Sequence, residues 1–264
     1  MSWAPTTHDL PATARHHLAR GDAELIYHPY GTATWRVVLR SGSVLYLKAG
    51  YAGGYPSLAG ERERMLWLRS RGVPVPEVVD AGGDDRVEWL LTIALPGLSA
   101  TDPEHLHRPE RTVAILAEGL RVFHDVDPAG CPFEFTAPTA LRHAAARVRA
   151  GSVDPAGFHD DHRHMTPAAA LQRLRATAPD SEDLVVCHGD YCFPNMTIAG
   201  GRVVGYLDVG EAGLADRWRD IAVGTWAATW NVGPGFEDLF VRTYGIEWDR
   251  DRTAFYRLLF DLES

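Results

Sequence analysis

The stretch HGDYCFPN contains the residues best suited to chemistry in this chain. Asp190 precedes Asn195 by five residues in a loop between apolar segments, and Asp208 follows Asn195 by thirteen residues at the end of a predicted hairpin. Because a hairpin returns the chain to its starting point, Asp208 and Asn195 are expected to face each other. Amide and carboxylate oxygens are ligands of Mg²⁺, which completes its octahedral shell with phosphate and water.

Asp190 would then lie beside the metal without binding it. A carboxylate in that position can orient a hydroxyl group and accept its proton. Alternatively, Asp190 and Asn195 only cap and brace the loop, as Asp and Asn often do. His188 and Gly189 before the pair, and Asp208 behind it, favour the catalytic interpretation.

Lys48 is the only lysine in the chain, although lysine and arginine together number 26. An ammonium group is a compact point charge, whereas the guanidinium group of arginine is planar and wider. At an ordinary solvated position this chain would be expected to carry arginine. The composition therefore favours a specific task for Lys48 over a simple surface position.

The elements that must hold these residues follow from the hydrophobic pattern. Strand-forming segments alternate with turns over the first third of the chain, which predicts an antiparallel sheet with Lys48 near the end of its third strand. The segment ERERMLWLRSRGV predicts a helix that buries Met65, Leu66 and Leu68 and ends at Gly72. Two further strands follow it.

After a hinge near residues 94–97, amphipathic helices replace the strands. One of these helices is predicted to start at Thr166 as N-cap, and helix is expected to resume near Ala215 after the predicted hairpin. The fold prediction is therefore α+β. A small β-rich lobe with one helix spans residues 1–95, and a larger, mainly helical lobe spans residues 98–264.

Composition excludes several classes of protein. The formal net charge is −9 and no basic run occurs, which argues against a nucleic-acid-binding protein and against attraction to an anionic membrane. No apolar run of about 18 residues occurs and the start has no signal-like segment, so a cytoplasmic protein is expected. The chain has three cysteines, Cys131, Cys187 and Cys192, and we expect all of them to be reduced thiols.

The motifs HGDYCFPN, GYLDVG and LADRWRDIA closely resemble those of the aminoglycoside phosphotransferases, especially the enzymes that modify 3'- and 3''-hydroxyl groups. That family also has close parallels to the segments LYLK, GERERMLWLRSRGVPVPEV, WLLTIALPG, CPFE and EDLVVCHGD. The resemblance implies a protein-kinase-like fold with a nucleotide-binding first lobe. It also implies transfer of the γ-phosphoryl group of ATP or GTP to an antibiotic hydroxyl, with aminoglycosides as the leading substrate class.

The resemblance assigns roles to individual residues. It implies that Lys48 contacts the α and β phosphates and that Glu61 is its ion-pair partner. Asp190 matches the catalytic aspartate. Asn195 and Asp208 match the ligands of Mg²⁺.

Further residues match the nucleotide side and the support of the site. The hinge residues Ala94 and Leu95 would present backbone groups to the nucleotide base. The turn around Gly31 and Thr32 would cover the phosphates, although it lacks a glycine-rich fingerprint. Asp220 resembles a family position that supports the catalytic loop from below.

The acceptor side departs from the family pattern. Glu211 replaces a usual arginine, and Trp226 and Trp230 stand where relatives carry charged residues. The candidate acceptor-binding residues are Asp154, Asp160, Asp161, Glu211, Trp226, Trp230, Asp261 and Glu263. The acids suit a polycationic aminoglycoside, whereas the tryptophans suit a planar, less charged acceptor or simple core packing.

Two alternatives to an aminoglycoside kinase remain open. One is the same transfer to another antibiotic, such as a nucleoside antibiotic. The other is a non-catalytic nucleotide- or drug-binding protein, which the complete set of catalytic-type residues disfavours. A protein kinase is disfavoured because no activation segment follows Asp208.

The segment SVDPAGFHDDHRHM contains His159, His162 and His164 at spacings that match no standard metal site. We therefore predict a solvated loop there. Cys187 and Cys192 are predicted to be packing residues. The expected partner is a small-molecule antibiotic, with no nucleic acid or membrane, and the protein is expected to be a monomer or a homodimer.

Overall fold

The computed structural model describes residues 4–27 and 31–263. The chain divides into two compact units: Met1–Gly97 with Val204–Glu211 form the first, and Leu98–Val203 with Ala212–Ser264 form the second. The predicted combination of an antiparallel sheet with helices is confirmed. Part of the predicted first turn, residues 28–30, lies outside the described residues.

The segment 204–211 groups with the first unit, whereas the sequence-based division placed it in the C-terminal lobe. The backbone N–H of Tyr206 donates to the carbonyl oxygen of Pro74 at 2.9 Å. Asp208 reaches Lys48 of the sheet. The chain thus comes back to the sheet at Asp208, far along the sequence from Lys48. Local sequence patterns do not reveal this contact.

The first unit is built on one antiparallel sheet. Its helices are α1 (Ala12–Leu18) and α2 (Leu58–Ser70), and its strands are β1 (Gly21–Tyr27), β2 (Thr32–Leu39), β3 (Val44–Tyr51), β4 (Val78–Gly83) and β5 (Val87–Ile93). Among the described residues the strand order is β1-β2-β3-β5-β4, and all the pairings are antiparallel.

One face of this sheet carries the core of the unit. Alternate residues of β2 and β3 are buried there with α1, namely Ala33, Trp35, Val37, Leu45, Leu47 and Ala49. Because successive strand residues point to opposite faces, Lys48 projects from the other face. Helix α2 covers that face with the buried side chains of Met65 and Leu68.

Helix α2 begins earlier than predicted, at Leu58. Ser57 is its N-cap, and the Ser57 hydroxyl accepts a hydrogen bond from the Gly60 N–H. The prediction that Leu66 is buried was wrong: its side chain is exposed because it lies about 100° around the helix from Met65. Gly72 follows the helix with φ of 81°, which confirms it as the residue that ends the helix.

The second unit is mainly helical. Its helices are α3 (Pro103–Leu106), α4 (Pro109–His124), α5 (Ala137–Ala150), α6 (Pro167–Ala176), α7 (Trp218–Val232), α8 (Glu237–Tyr244) and α9 (Arg250–Glu263). Its short strands are β6 (Leu98–Ser99), β7 (Leu184–Cys187), β8 (Met196–Ala199), the start of β9 (Arg202–Tyr206) and β10 (Gly213–Asp216). Strand β8 lies between β6 and β9, which confirms the predicted hairpin.

The prediction that helix resumes near Ala215 was wrong. Gly213–Asp216 forms strand β10, which pairs antiparallel with β7, and α7 starts only at Trp218. A strand of four residues carries too little periodicity to be recognised in the sequence, so its partner strand decides its conformation. The pairing ties the segment before α7 to the strand that leads into HGDYCFPN.

The other helix predictions for this unit hold. The face of α4 that was predicted to be apolar is buried. Thr166 caps α6 and accepts a hydrogen bond from the Ala169 N–H at 3.2 Å. Within the described part of the chain, we find no helix whose length and hydrophobicity would allow it to cross a membrane.

Candidate active site

Lys48 lies between two carboxylates. Its Nζ atom is 2.9 Å from Glu61 Oε2 and 2.6 Å from Asp208 Oδ1. The Glu61 side chain is 2% exposed and that of Lys48 is 22% exposed, whereas Asp208 is 45% exposed. The ion pair that the family resemblance implies is therefore present, with Asp208 as a second partner.

The charge of Lys48 is stabilised by these partners. Burial alone would lower its pKa, but the carboxylates of Glu61 and Asp208 outweigh burial and hold the pKa of Lys48 above its ordinary value. Lys48 therefore remains an ammonium group at neutral pH. Such a compact cation can meet phosphate oxygens at the surface of the unit while Glu61 anchors it from below.

Asp208 has an unusual backbone conformation. It is the non-glycine residue with positive φ among those the structure describes, at 56°. Asp and Asn tolerate this left-handed region better than other side chains do. Gly210 follows, and a Cβ atom there would approach Pro56 Cγ to 2.9 Å. The close approach of this segment to the start of α2 holds Asp208 beside Lys48.

Asp190 lies in the loop after β7. Its Oδ2 atom accepts a hydrogen bond from Asn195 Nδ2 at 2.8 Å, and its backbone oxygen accepts a second from the same nitrogen at 3.0 Å. The thiol of Cys192 lies 2.9 Å from Asp190 Oδ1. Both carboxylate oxygens therefore have a neighbouring donor, which orients the group within the loop.

Asn195 in the second unit and Asp208 in the first each carry an oxygen donor of the kind that Mg²⁺ binds. Since the amide nitrogen of Asn195 faces Asp190, its amide oxygen is directed away from Asp190. The carboxylate of Asp208 is about half exposed, and its Oδ1 atom is paired with Lys48. Both oxygen donors are hard ligands of the type that Mg²⁺ prefers, with water and phosphate completing the shell.

A buried carboxylate, that of Asp220, holds the loop that carries Asp190. Asp220 Oδ2 accepts from the His188 N–H at 2.6 Å, and Oδ1 accepts from the Gly189 N–H at 2.8 Å. Burial would raise the pKa of Asp220, but hydrogen bonds and the nearby His124 outweigh burial and hold the pKa below its ordinary value. Asp220 is thus an ionised support under the catalytic-type loop.

We expect Asp220→Asn to lower the free energy of unfolding by about 3 kcal/mol, because the backbone donors of His188 and Gly189 lose a charged acceptor. Because the folded-state pKa is lowered, the stabilisation by Asp220 is present at neutral pH. It is lost as pH falls below about 4. Urea denaturation at several pH values measures the effect, with the exposed Asp180→Asn as control. A constant difference between wild type and Asp220→Asn down to acidic pH would contradict this expectation.

The hinge and the first turn each lie directly beside a strand of the sheet. Ala94 donates its N–H to the Val44 carbonyl at 3.0 Å, so this amide belongs to the sheet. Leu95 follows it. Gly31 has φ of 79° in the turn before β2, and Thr32 is the first residue of that strand, opposite Gly50 of β3. Their roles toward a nucleotide remain predictions.

The similarity of this chain to known proteins extends over most of its length. A sequence profile of the phosphotransferase enzyme family matches residues 25–256, far more than half of the chain. The chain belongs to this family.

The similarity to individual phosphotransferases is extensive. An aminoglycoside 3'-phosphotransferase of Streptomyces fradiae is 37% identical over 210 residues, which cover 76% of this chain and 78% of the relative. The crystal structure of an aminoglycoside-3'-phosphotransferase of type VIII superposes with a TM-score of 0.83 at 33% identity and covers 95% of this chain and 98% of that chain.

A further structure shows a nucleotide in a family member. It is aminoglycoside phosphotransferase APH(3'')-Id from Streptomyces rimosus in complex with ADP and streptomycin. It superposes with a TM-score of 0.77 at 29% identity and covers 96% of this chain and 98% of that chain. The predicted family and kinase-like fold are confirmed, and the protein is an O-phosphotransferase that uses a nucleoside triphosphate.

Most residues of the His-rich loop of this phosphotransferase are exposed, as predicted, but a buried carboxylate binds two of its histidines. His162 is buried and its Nδ1 atom lies 2.6 Å from Asp261 Oδ2. His159 Nδ1 lies 2.5 Å from Asp261 Oδ1. A single carboxylate of α9 therefore anchors two histidines of the loop between α5 and α6. The loop carries apolar partners as well, since Phe158 is buried.

The two tryptophans of α7 differ in their surroundings. Trp226 is buried, with Arg257 5.0 Å above its ring. Trp230 is 42% exposed and stacks on His159 with ring centroids 4.5 Å apart and planes at 12°. Trp226 is therefore packed in the core, which is the alternative that the sequence left open. Trp230 retains accessible surface.

The candidate acids also fall into two groups. Asp261 is bound by the histidines, and Glu263 is buried beside Arg219 at 3.2 Å. Asp154, Asp160 and Asp161 are exposed, and Glu211 is half-buried. Asp154 also accepts from the Ala156 N–H at 2.9 Å. Contact with an acceptor remains a prediction for all of these residues, and the exposed acids are the ones that present charge to solvent.

Sequence reasoning missed several residues of the site. His124 and Tyr244 lie in the polar network under the loop. Cys192 was predicted only to be a packing residue, but its thiol contacts Asp190 directly. Their spacing in the sequence gives no signal of these contacts. In the sequence, His124 stands at the end of the apolar face of α4, and this position could have drawn attention to it.

Proposed function

We propose that this phosphotransferase transfers the γ-phosphoryl group of ATP or GTP to a hydroxyl group of an aminoglycoside, and so inactivates the antibiotic. The main support is the loop in which Asp190 pairs with Asn195 above the buried Asp220. We further propose that it acts in the cytoplasm, where nucleoside triphosphates are abundant, as a monomer or a homodimer.

Asp190 acts on the acceptor in this proposal. Its carboxylate orients the acceptor hydroxyl and accepts its proton as the oxygen attacks the γ-phosphorus. The new P–O bond forms to the acceptor while the bond between the γ-phosphorus and the β-γ bridging oxygen breaks. The nucleoside diphosphate leaves with the electrons of that bond, so charge and atoms balance.

Lys48 acts on the donor in this proposal. Its ammonium group binds the α and β phosphates, and Glu61 keeps it in place from the interior of the unit. The backbone of Ala94 and Leu95 would bind the base, and the turn at Gly31 and Thr32 would cover the phosphates. These residues contribute binding and orientation, which account for most of the catalysis in phosphoryl transfer.

Asn195 and Asp208 are the residues proposed to hold Mg²⁺. When bound, the ion neutralises negative charge on the phosphates and screens it from the incoming hydroxyl oxygen. The amide oxygen of Asn195 and the carboxylate of Asp208 supply the oxygen ligands. The hydrogen bond from Asn195 to Asp190 would couple the orientation of the ligand to that of the base.

The acceptor side supports an aminoglycoside and leaves a second candidate. The exposed carboxylates of Asp154, Asp160 and Asp161 suit the ammonium groups of an aminoglycoside. The exposed ring of Trp230, stacked on His159, instead favours a planar acceptor such as a nucleoside antibiotic.

A panel of purified antibiotics distinguishes the two candidates. We expect nucleotide turnover with aminoglycosides that carry free 3'- or 3''-hydroxyl groups, measured by coupled detection of the released diphosphate. Mass spectrometry should show one added phosphate on the antibiotic. Turnover with nucleoside antibiotics alone would overturn the aminoglycoside assignment, and no turnover with either class would contradict both candidates.

A further inference from the structure

A chain of hydrogen bonds continues from the catalytic-loop support into the interior of the second unit. Asp220 Oδ2 lies 3.0 Å from His124 Nε2, and His124 Nδ1 lies 2.8 Å from the Tyr244 hydroxyl. Arg217 Nη1 donates to that hydroxyl at 3.0 Å. Arg217 is in turn held by Asp183, whose Oδ1 accepts from Nη2 at 3.0 Å.

The donors in this chain determine where each proton lies. Arginine can only donate, so the Tyr244 oxygen accepts from Arg217. Burial raises the pKa of Tyr244 to about 12, and the nearby Arg217 only partly opposes this, so the hydroxyl keeps its proton. That proton can be donated to His124 Nδ1. His124 then carries its own proton on Nε2 and donates it to the ionised Asp220.

We propose that Tyr244 is a positioning residue for phosphoryl transfer. By donating to Nδ1 it holds His124 as the Nε2–H tautomer, through which Asp220 keeps the backbone of His188 and Gly189 in place. This inference rests on the proposed function of Asp190, which follows Gly189 directly. All of these residues belong to the second unit, and the side chains of His124 and Asp220 are 2% and 0% exposed.

The same cluster does not suit a metal ion. Ligand atoms of His124, Cys187 and Asp220 lie within 4.8 Å of one another. Both ring nitrogens of His124 already have hydrogen-bond partners, however, and Cys187 Sγ faces the carbonyl oxygen of Asp216 at 3.3 Å. Burial raises the pKa of the Cys187 thiol well above its ordinary value, which disfavours the thiolate that a metal would need.

Tyr244 would affect catalysis through the position of the loop that carries Asp190. Asp220 fixes two successive backbone N–H groups, and Asp190 is the next residue in the chain. A displacement of about 1 Å in a reacting group can cost as much as about 100-fold in rate. A free His124 ring could adopt the other tautomer, and its Nε2 would then no longer donate to Asp220. The loop would lose a fixed support without losing any group that touches a substrate.

The variant Tyr244→Phe removes only the hydroxyl group. We expect kcat to fall about tenfold, because the loop is held less firmly. Both KM values should stay within about twofold of wild type, because no binding group is lost. Tyr256→Phe is the matched control, since Tyr256 is 2% exposed and Tyr244 is 3% exposed. The hydroxyl group of Tyr256 lies near Asp216 and Glu182 instead. Equal kcat values for the two variants would overturn the proposal.

Two measurements test the hydrogen-bond network independently of activity. Nitrogen-15 NMR of the wild-type protein should show His124 with a protonated Nε2 and an unprotonated Nδ1, and the opposite tautomer would overturn the proposal. Amide hydrogen exchange at Gly189 should be faster in Tyr244→Phe than in the control, and unchanged exchange would overturn it. If the wild-type protein phosphorylates no acceptor, the proposed function fails, while these two results still decide the network.

Discussion

Asp190→Ala should lower kcat by about 10²- to 10⁴-fold, the range typical for loss of a general base. The variant removes the carboxylate that orients the acceptor hydroxyl and accepts its proton. Nucleotide affinity should change little, because Asp190 is not among the residues assigned to the nucleotide. Coupled detection of the released diphosphate measures turnover, and calorimetric titration with a non-hydrolysable nucleotide measures affinity.

The loop should survive this substitution. Asn195 Nδ2 loses its bond to the Asp190 side chain but retains the backbone oxygen at 3.0 Å. The backbone donors of His188 and Gly189 still bind Asp220. Asp180→Ala, at an exposed position of the same unit, should keep wild-type turnover. If Asp190→Ala turned over substrate as fast as this control, the proposed mechanism would be contradicted.

Lys48→Arg should impair nucleotide use by up to about 100-fold in kcat/KM, although the charge is unchanged. The ammonium group lies 2.9 Å from Glu61 and 2.6 Å from Asp208. A planar guanidinium group is wider and must displace one of these carboxylates. Displacement of Asp208 would also move a proposed Mg²⁺ ligand, so kcat and the KM for nucleotide should both worsen.

The reciprocal exchange provides the control. Arg62 is an exposed residue of α2 beside Glu61, and Arg62→Lys should leave the kinetics unchanged. Steady-state kinetics with nucleotide as the varied substrate compares the two variants. Near-normal kinetics for Lys48→Arg would show that any cation serves at this position. The selective retention of one lysine in the chain would then lack a functional explanation.

The acceptor side shows how tertiary contacts reassign residues that look equivalent in the sequence. Asp261 and Asp160 are both acids in segments predicted to meet the acceptor. Asp261 is instead bonded to His159 and His162, whereas Asp160 lies exposed beside Arg163 at 2.8 Å. A buried carboxylate with two imidazole partners has little capacity left for a substrate amine.

Local residue patterns predict most of the strands of the first unit and its helix α2. Strand alternation places Lys48 on the face opposite Leu47, and α2 must cover that face with its apolar side. The pairing of Glu61, in the first turn of α2, with Lys48 was implied by the family resemblance and is present in the structure. The alternation along β3 and the apolar face of α2 follow from periods of two and 3.6 residues within short segments, so the local residue pattern is enough to predict them.

Contacts between distant segments depend on the tertiary structure. Lys48 and Asp208 are 160 residues apart, and His124 and Tyr244 are 120 residues apart. Strand β10 exists because β7 lies beside it, and Asp261 is buried because two histidines of a distant loop reach it. Such pairings depend on how whole elements pack and on which buried polar groups find partners, and neither is encoded in a local residue pattern.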